Sequence, residues 1–325
     1  VKPVSEITHM HFSRRSMKTF SHHLLLIVVF LFVGLLATGL IAQEYDLAIL
    51  NGRVMDPETK LDAMRNVGVK AGKIAVITED AITGRVTIDA QGHVVAPGFI
   101  DGHCHVVDSP LGQKGLLRDG VTTTLDLEVG AYPVETWYDN LAGNSQTNYG
   151  ATVSIASART AAFNPDFRNQ IGKFKSKTGN MVEGLFAGMP IGADWVSRVP
   201  TDEERKVILE IVEDGLKRGA LGVGPPAGYM TAGFTSQELI GIQSLVGKYN
   251  RLSHVHTRFS SQTSPTSAIL AFQEVFASAG DYGGGVIIAH FTAQSLALTR
   301  DVVRYVDALR ANGKPVCPGN LSLQP

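Results

Sequence analysis

Two histidines stand two residues apart in Gly-Phe-Ile-Asp-Gly-His-Cys-His, at His103 and His105, shortly after a Pro97-Gly98 pair. Side chains on an extended strand alternate between faces, so both imidazoles share a face with Asp101 while Cys104 points the other way. Adjacent imidazoles at the end of a buried strand can reach one metal ion. A pair of core histidines is the plainer alternative, and the position after Pro-Gly favours ligation. In Thr-Thr-Thr-Leu-Asp-Leu-Glu (122–128) the same alternation gathers Thr124, Asp126 and Glu128 on one face. A carboxylate buried at a strand end needs a compensating positive charge. Glu128 is therefore a candidate metal ligand, and Asp126, one pleat deeper, a residue that hydrogen-bonds and orients the ligands. Leu-Ser-His-Val-His-Thr-Arg (252–258) adds His254, His256 and Arg258 on one face, and Gly-Val-Ile-Ile-Ala-His (285–290) ends in His290. Of ten histidines, five thus fall at three expected strand ends, which a chance scatter among helices and loops would not produce.

One carboxylate with four histidines suits Zn2+ or a similar divalent metal, since Mg2+ and Ca2+ want more oxygen ligands. One or two ions fit. With two, Glu128 bridges, His103 and His105 complete one site, and His256 and His290 the other. Water held by such ions ionises near neutral pH and attacks a carbonyl the metal polarises, which is the chemistry of amide or ester hydrolysis. Arg258 matches a substrate carboxylate in geometry, with a structural ion pair as the equal alternative. Tyr229, in the loop after the fourth expected strand, either contacts substrate or packs. Cys317 reads as a small buried hydrophobe.

These residues need a scaffold with several strand ends on one side. After Pro97, apolar strand-like runs at 98–106, 122–129, 151–157, 220–223, 252–257, 286–291 and 315–318 alternate with helical patterns. Thr201 with Glu204, and Thr235 with Glu238, read as capping boxes opening two of the helices. Such alternation implies a parallel sheet. No Gly-x-Gly-x-x-Gly follows the first strand, and the polar residues sit at the carboxyl ends of several strands, so the expected fold is a (β/α)8 barrel over 98–325. That segment has 228 residues against about 250 for a closed barrel, and seven strands imply that the eighth unit is missing. Ahead of it, residues 45–97 read as a small β-sandwich part with hairpin turns at Asn51-Gly52 and Ala71-Gly72.

Composition narrows the classes further. The chain of 325 residues is 44% hydrophobic and 18% charged with a net charge of -1, which excludes a disordered or fibrous chain and leaves no basic footprint for nucleic acid. Two cysteines are too few for a disulfide framework. Residues 24–42 carry no charge and follow Arg14, Arg15 and Lys18. This is the pattern of an export signal over 17–42, with 1–16 as upstream read-through, and it makes the mature protein periplasmic or extracellular. The same run is long enough to remain as a membrane anchor.

The motifs VVAPGFIDGHCH (94–105), GVTTTLDLE (120–128), GALGVG (219–224), HTR (256–258) and IIAHF (287–291) arrive in an order that resembles the amidohydrolase superfamily, in its D-aminoacylase and N-acyl-D-glutamate deacylase branch. The first block is highly specific; the others are individually weak. The resemblance implies a metal-bearing barrel, a β-sandwich built from both chain ends, and ligands from strands one, five and six. It also implies a bridging residue, often a carboxylated lysine and in some branches a cysteine or glutamate. With no lysine at a strand end, that role falls to Glu128. The His-x-Arg match favours His256 over His254 as ligand and leaves His254 supporting the site. It further implies a catalytic aspartate after strand eight, beyond Pro325. The implied activity is hydrolysis of the linear amide of an N-acyl-D-amino acid, with cyclic-amide hydrolysis of the dihydroorotase or hydantoinase type as the alternative. A non-catalytic binding protein on this fold is the reading of another class, disfavoured because all five ligand candidates are retained.

Overall fold

The computed structural model describes residues 44–170, 194–259, 267–280 and 282–314, with the backbone of 316–318. The expected export signal at 17–42 lies outside them, as does the Cys317 side chain. Among the described residues no helix is long and apolar enough to cross a membrane. The chain divides into two compact units at Pro97 and Gly98.

The first unit is a five-stranded sheet. Strand β1 (Tyr45–Asp56) pairs antiparallel with β2 (Leu61–Lys70), which pairs antiparallel with β3 (Lys73–Thr78). On its other side β1 runs parallel to β4 (Gly84–Asp89) and β5 (Val94–Val95). Ala71 and Gly72, both at positive φ, make the expected turn between β2 and β3. Asn51-Gly52 does not turn the chain. It forms a bulge inside β1, with Asn51 at φ 61 and its side chain donating to Asp89. A Cβ on Gly52 would lie 2.4 Å from Val95 Cγ2, so glycine is needed here for close approach rather than for a hairpin.

The second unit is a parallel seven-stranded sheet in strict sequence order: β6 (Phe99–Asp101), β7 (Val121–Ala131), β8 (Asn148–Ser154), β9 (Gly222–Gly224), β10 (Leu252–Val255), β11 (Gly285–Ile288) and β12 (Val316–Pro318). Helices α1 (Pro110–Arg118), α2 (Val134–Leu141), α3 (Ile155–Phe163), α4 (Pro165–Gln170), α5 (Asp194–Ser197), α6 (Asp202–Lys217), α7 (Ser236–Lys248), α8 (Ala268–Gly280), α9 (Phe291–Ser295) and α10 (Thr299–Ala311) fill the connections among the described residues. Sequential order without a reversal is the order of a barrel and not of a doubly wound sheet. The sheet also curls. In a flat sheet the first and sixth strands would lie roughly 24 Å apart at ordinary strand spacing, yet the rings of His103 and His290, just past those strands, are 4.4 Å apart. These are seven strands of a (β/α)8 barrel. The main core, including Val153, Val223, Val255, Val286 and Ile288, lies between the strands and helices such as α6, which carries Val212 and Leu216.

Several strands stop short of their apolar runs. The first ends at Asp101, because the Asp101 carboxylate accepts the backbone N–H of His103 (2.9 Å) and turns the chain. The third ends at Ser154, whose hydroxyl accepts the Ser157 N–H and starts α3. The fifth and sixth end at Val255 and Ile288, so His256 stands on the first residue past its strand and His290 two residues past its own, immediately before α9.

Candidate metal centre

Glu128 owes its position to an irregularity in β7. Pairing with β8 is regular up to Asp126 opposite Ala151 and resumes at Ala131 opposite Val153, so four residues of β7 (127–130) oppose one of β8, Thr152. The Asp126 carboxylate closes this bulge by accepting the N–H groups of Val129 (3.1 Å) and Gly130 (3.0 Å), and the Thr152 hydroxyl donates to Leu127 O (2.9 Å). Two glycines make room. Gly130 has φ 69, and a Cβ on Gly224 would lie 2.4 Å from Glu128 O. In the GVG strand β9, Gly224 is thus needed because the bulged backbone presses against it, and Gly222 because Leu252 O of β10 would lie 2.0 Å from a Cβ. Gly228 does the same for His256, whose Cδ2 lies 2.4 Å from where a Cβ would be.

The bulge leaves the Glu128 side chain 3% exposed among four imidazoles. Its Oε2 is 2.9 Å from His103 Nε2 and 3.2 Å from His105 Nε2. Its Oε1 is 2.5 Å from His256 Nδ1 and 3.3 Å from His290 Nε2. Each carboxylate oxygen thus faces one histidine pair. Burial alone would push this carboxyl up. The hydrogen bonds from His103, His105 and His256 overcome that and hold it well below the usual carboxylate range. His105 responds in the opposite sense, raised to about 10 by its contacts with Asp126 and Glu128. Burial lowers His290.

The donor set fits a divalent cation. Nε2 of His103 and Nε2 of His105 are 3.2 Å apart, a contact that requires a proton or a shared cation between two lone pairs. The His103, Glu128 and His290 ligand atoms lie within 4.8 Å of one another. The 2.9 Å contact of His103 is to Glu128 Oε2 and the 3.3 Å contact of His290 is to Oε1, so the two histidines reach opposite oxygens of one carboxylate. That three-residue set draws one histidine from each pair. His105 and His290, both 37% exposed, form the open side, while His103 and His256 are half as exposed.

Other candidates take different places. Asp126 lies 3.5 Å from His105 Nδ1 and so supports both the bulge and a ligand. His254 is buried, its ring edge-on to His103 at 5.3 Å, and burial lowers its pKa to about 3. Tyr229 lies against His256 at 4.7 Å between centroids and is largely exposed. Arg258 does not join the cluster: its guanidinium binds both Glu274 oxygens and also Phe234 O and Ser236, so the ion-pair alternative describes it. Cys104 packs with Val107 and Trp137 on the far side. Sequence reasoning missed the Arg159–Glu238 pair, both members fully buried. There one guanidinium also ties α3 to the carbonyls of Trp195 and Gly233. The signal was present as an arginine among small residues in Ile-Ala-Ser-Ala-Arg.

Comparison with known proteins gives a consistent picture. No protein-family model matches the chain. D-aminoacylase of Alcaligenes xylosoxydans xylosoxydans is 23% identical over 260 residues, covering 77% of this chain and 51% of that protein. Dihydroorotase of Streptococcus pneumoniae is 52% identical over 60 residues, covering 18% and 14%. Among solved structures, N-acyl-D-glutamate deacylase from Bordetella bronchiseptica, complexed with zinc and a phosphonate inhibitor, superposes with a TM-score of 0.63 at 22% identity, covering 84% of this chain and 58% of that one. The chain spans about half the length of the D-aminoacylase it matches. Its sequence is similar to that of D-aminoacylase over most of the chain, and it shares the fold of the N-acyl-D-glutamate deacylase and D-aminoacylase structures.

Proposed function

We propose that the chain forms the metal-binding part of a hydrolase that deacylates N-acyl-D-amino acids. The observation that carries this reading is the Glu128 carboxylate held between two pairs of histidines at the carboxyl ends of barrel strands. Zn2+ is the expected metal, as one or two ions: His103, Glu128 and His290 make a set for one, and the two carboxylate oxygens serve two. A divalent ion there supplies Lewis acidity to activate water and polarise an amide carbonyl. The chain's own contribution is placement. Glu128 balances the charge, Asp126 closes the bulge and faces His105, and the exposed edges of His105 and His290 face the substrate side. Tyr229, beside His256, borders the acyl or amino-acid portion.

The length of the match to D-aminoacylase, 77% of the chain against 18% for dihydroorotase, favours a linear over a cyclic amide. The local dihydroorotase identity supports the second reading. Incubating the zinc-loaded whole hydrolase, of which this chain is the metal-binding part, with N-acetyl-D-glutamate, N-acetyl-D-methionine, hydantoin and dihydroorotate separates them. Release of acetate from the D-amino acid derivatives is expected, and preference for the rings would reverse the order. The uncharged run at 24–42 after Arg14, Arg15 and Lys18 supports export of the protein, with retention as an anchor as the alternative. Cell fractionation tests this.

A further inference from the structure

His290 is held in left-handed backbone, at φ 48 and ψ 37, a conformation uncommon for non-glycine residues. The restraints are visible. Ala289 N–H donates to Val255 O (2.9 Å), and Phe291 is buried and stacked on Phe272 at 5.3 Å and 9°. Gln294 N–H donates to His290 O (2.8 Å). The side chain of Gln294 then reaches back across the sheet, where Oε1 accepts the hydroxyl of Thr257, the residue after His256. Gln294 is 7% exposed, and its Nε2 is buried without a hydrogen-bond partner among the described residues. Leucine would fill such a space with no orphaned donor, so packing alone does not account for an amide here. Its made hydrogen bond accounts for it.

We propose that Gln294 is a positioning residue that, through Thr257, locks the His256 and His290 backbones to each other, so that both imidazoles meet the same Glu128 oxygen. The inference rests on the metal-centre reading for its consequence but not for its geometry. The two are tested together on the full chain with Gln294→Leu, Thr257→Val, Thr257→Ser and the Gln294→Leu/Thr257→Val double variant. Hydrogen exchange of the metal-free proteins reads the brace itself. Faster exchange over 252–259 and 286–295 is expected in the Leu and Val variants, with protection kept in Thr257→Ser. Titration with Co2+, followed by its visible absorption, reads the consequence. An affinity lower by about tenfold and an altered spectrum are expected in both single variants, with no further loss in the double variant. Unchanged exchange and unchanged Co2+ spectra overturn the brace and leave the metal centre standing. Wild-type protein that fails to bind Co2+ while the exchange effect persists removes the metal reading and leaves the brace as a backbone lock only.

Discussion

At the scale of single residues, the unusual feature is Glu128, a carboxylate almost removed from water with no lysine or arginine beside it among the described residues. The side chains that contact it there are imidazoles, and a bound cation would take over the balance of its charge. Glu128→Gln keeps the shape and removes the charge. We expect the zinc affinity of that variant to fall at least about tenfold, with far-ultraviolet circular dichroism unchanged; equal affinity would show that Glu128 is a buried hydrogen-bonding group and no ligand. That His103, His105, His254, His256 and His290 gather at strand ends was readable from their spacing, whereas the preference for His256 over His254 came from the His-x-Arg resemblance. The reason given for His103 and His105 was incomplete. They converge through the turn at Asp101, since the strand has already ended.

At the scale of elements, local rules were reliable where nothing distant competed. Thr201 and Glu204 form both bonds of a capping box at the start of α6. Thr235 accepts the Glu238 N–H in the same way, but the Glu238 side chain goes instead to Arg159, 79 residues earlier, and no local pattern discloses that. Removing one member leaves the other charge buried. Glu238→Ala should therefore cost about 3–5 kcal/mol, measured by urea denaturation; a loss under about 1 kcal/mol would mean that the pair is solvated in solution. The bulge that aims Glu128 was likewise hidden, because an alternating run fits a straight strand equally well. A gentler contact joins α6 to α7, where Lys248 (2.6 Å) and Tyr249 (2.8 Å) donate to Glu213 and hold its carboxyl at about 2 against an ordinary 4.5. A lowered carboxyl stabilises the folded state above its unfolded value and loses that stabilisation as pH falls towards the folded one. The stability gap between wild type and Glu213→Gln should be full at pH 6 and shrink between about pH 4.5 and 2. A gap independent of pH would contradict the assignment.

At the scale of the whole molecule, the alternation of strands and helices and the clustering of five histidines made the barrel legible, and its curl is what brings the first and sixth strand ends together. The Asn51-Gly52 turn was misplaced because the pair also suits a bulge pressed against Val95. The central claim is that this curled sheet gathers nitrogen and oxygen ligands around a divalent metal. X-ray absorption at the zinc edge of the zinc-loaded chain addresses it directly. The account predicts a shell of nitrogen and oxygen at about 2.0–2.1 Å, with imidazole back-scattering from at least two histidines and no sulfur. Sulfur at about 2.3 Å, or no bound zinc, would contradict it.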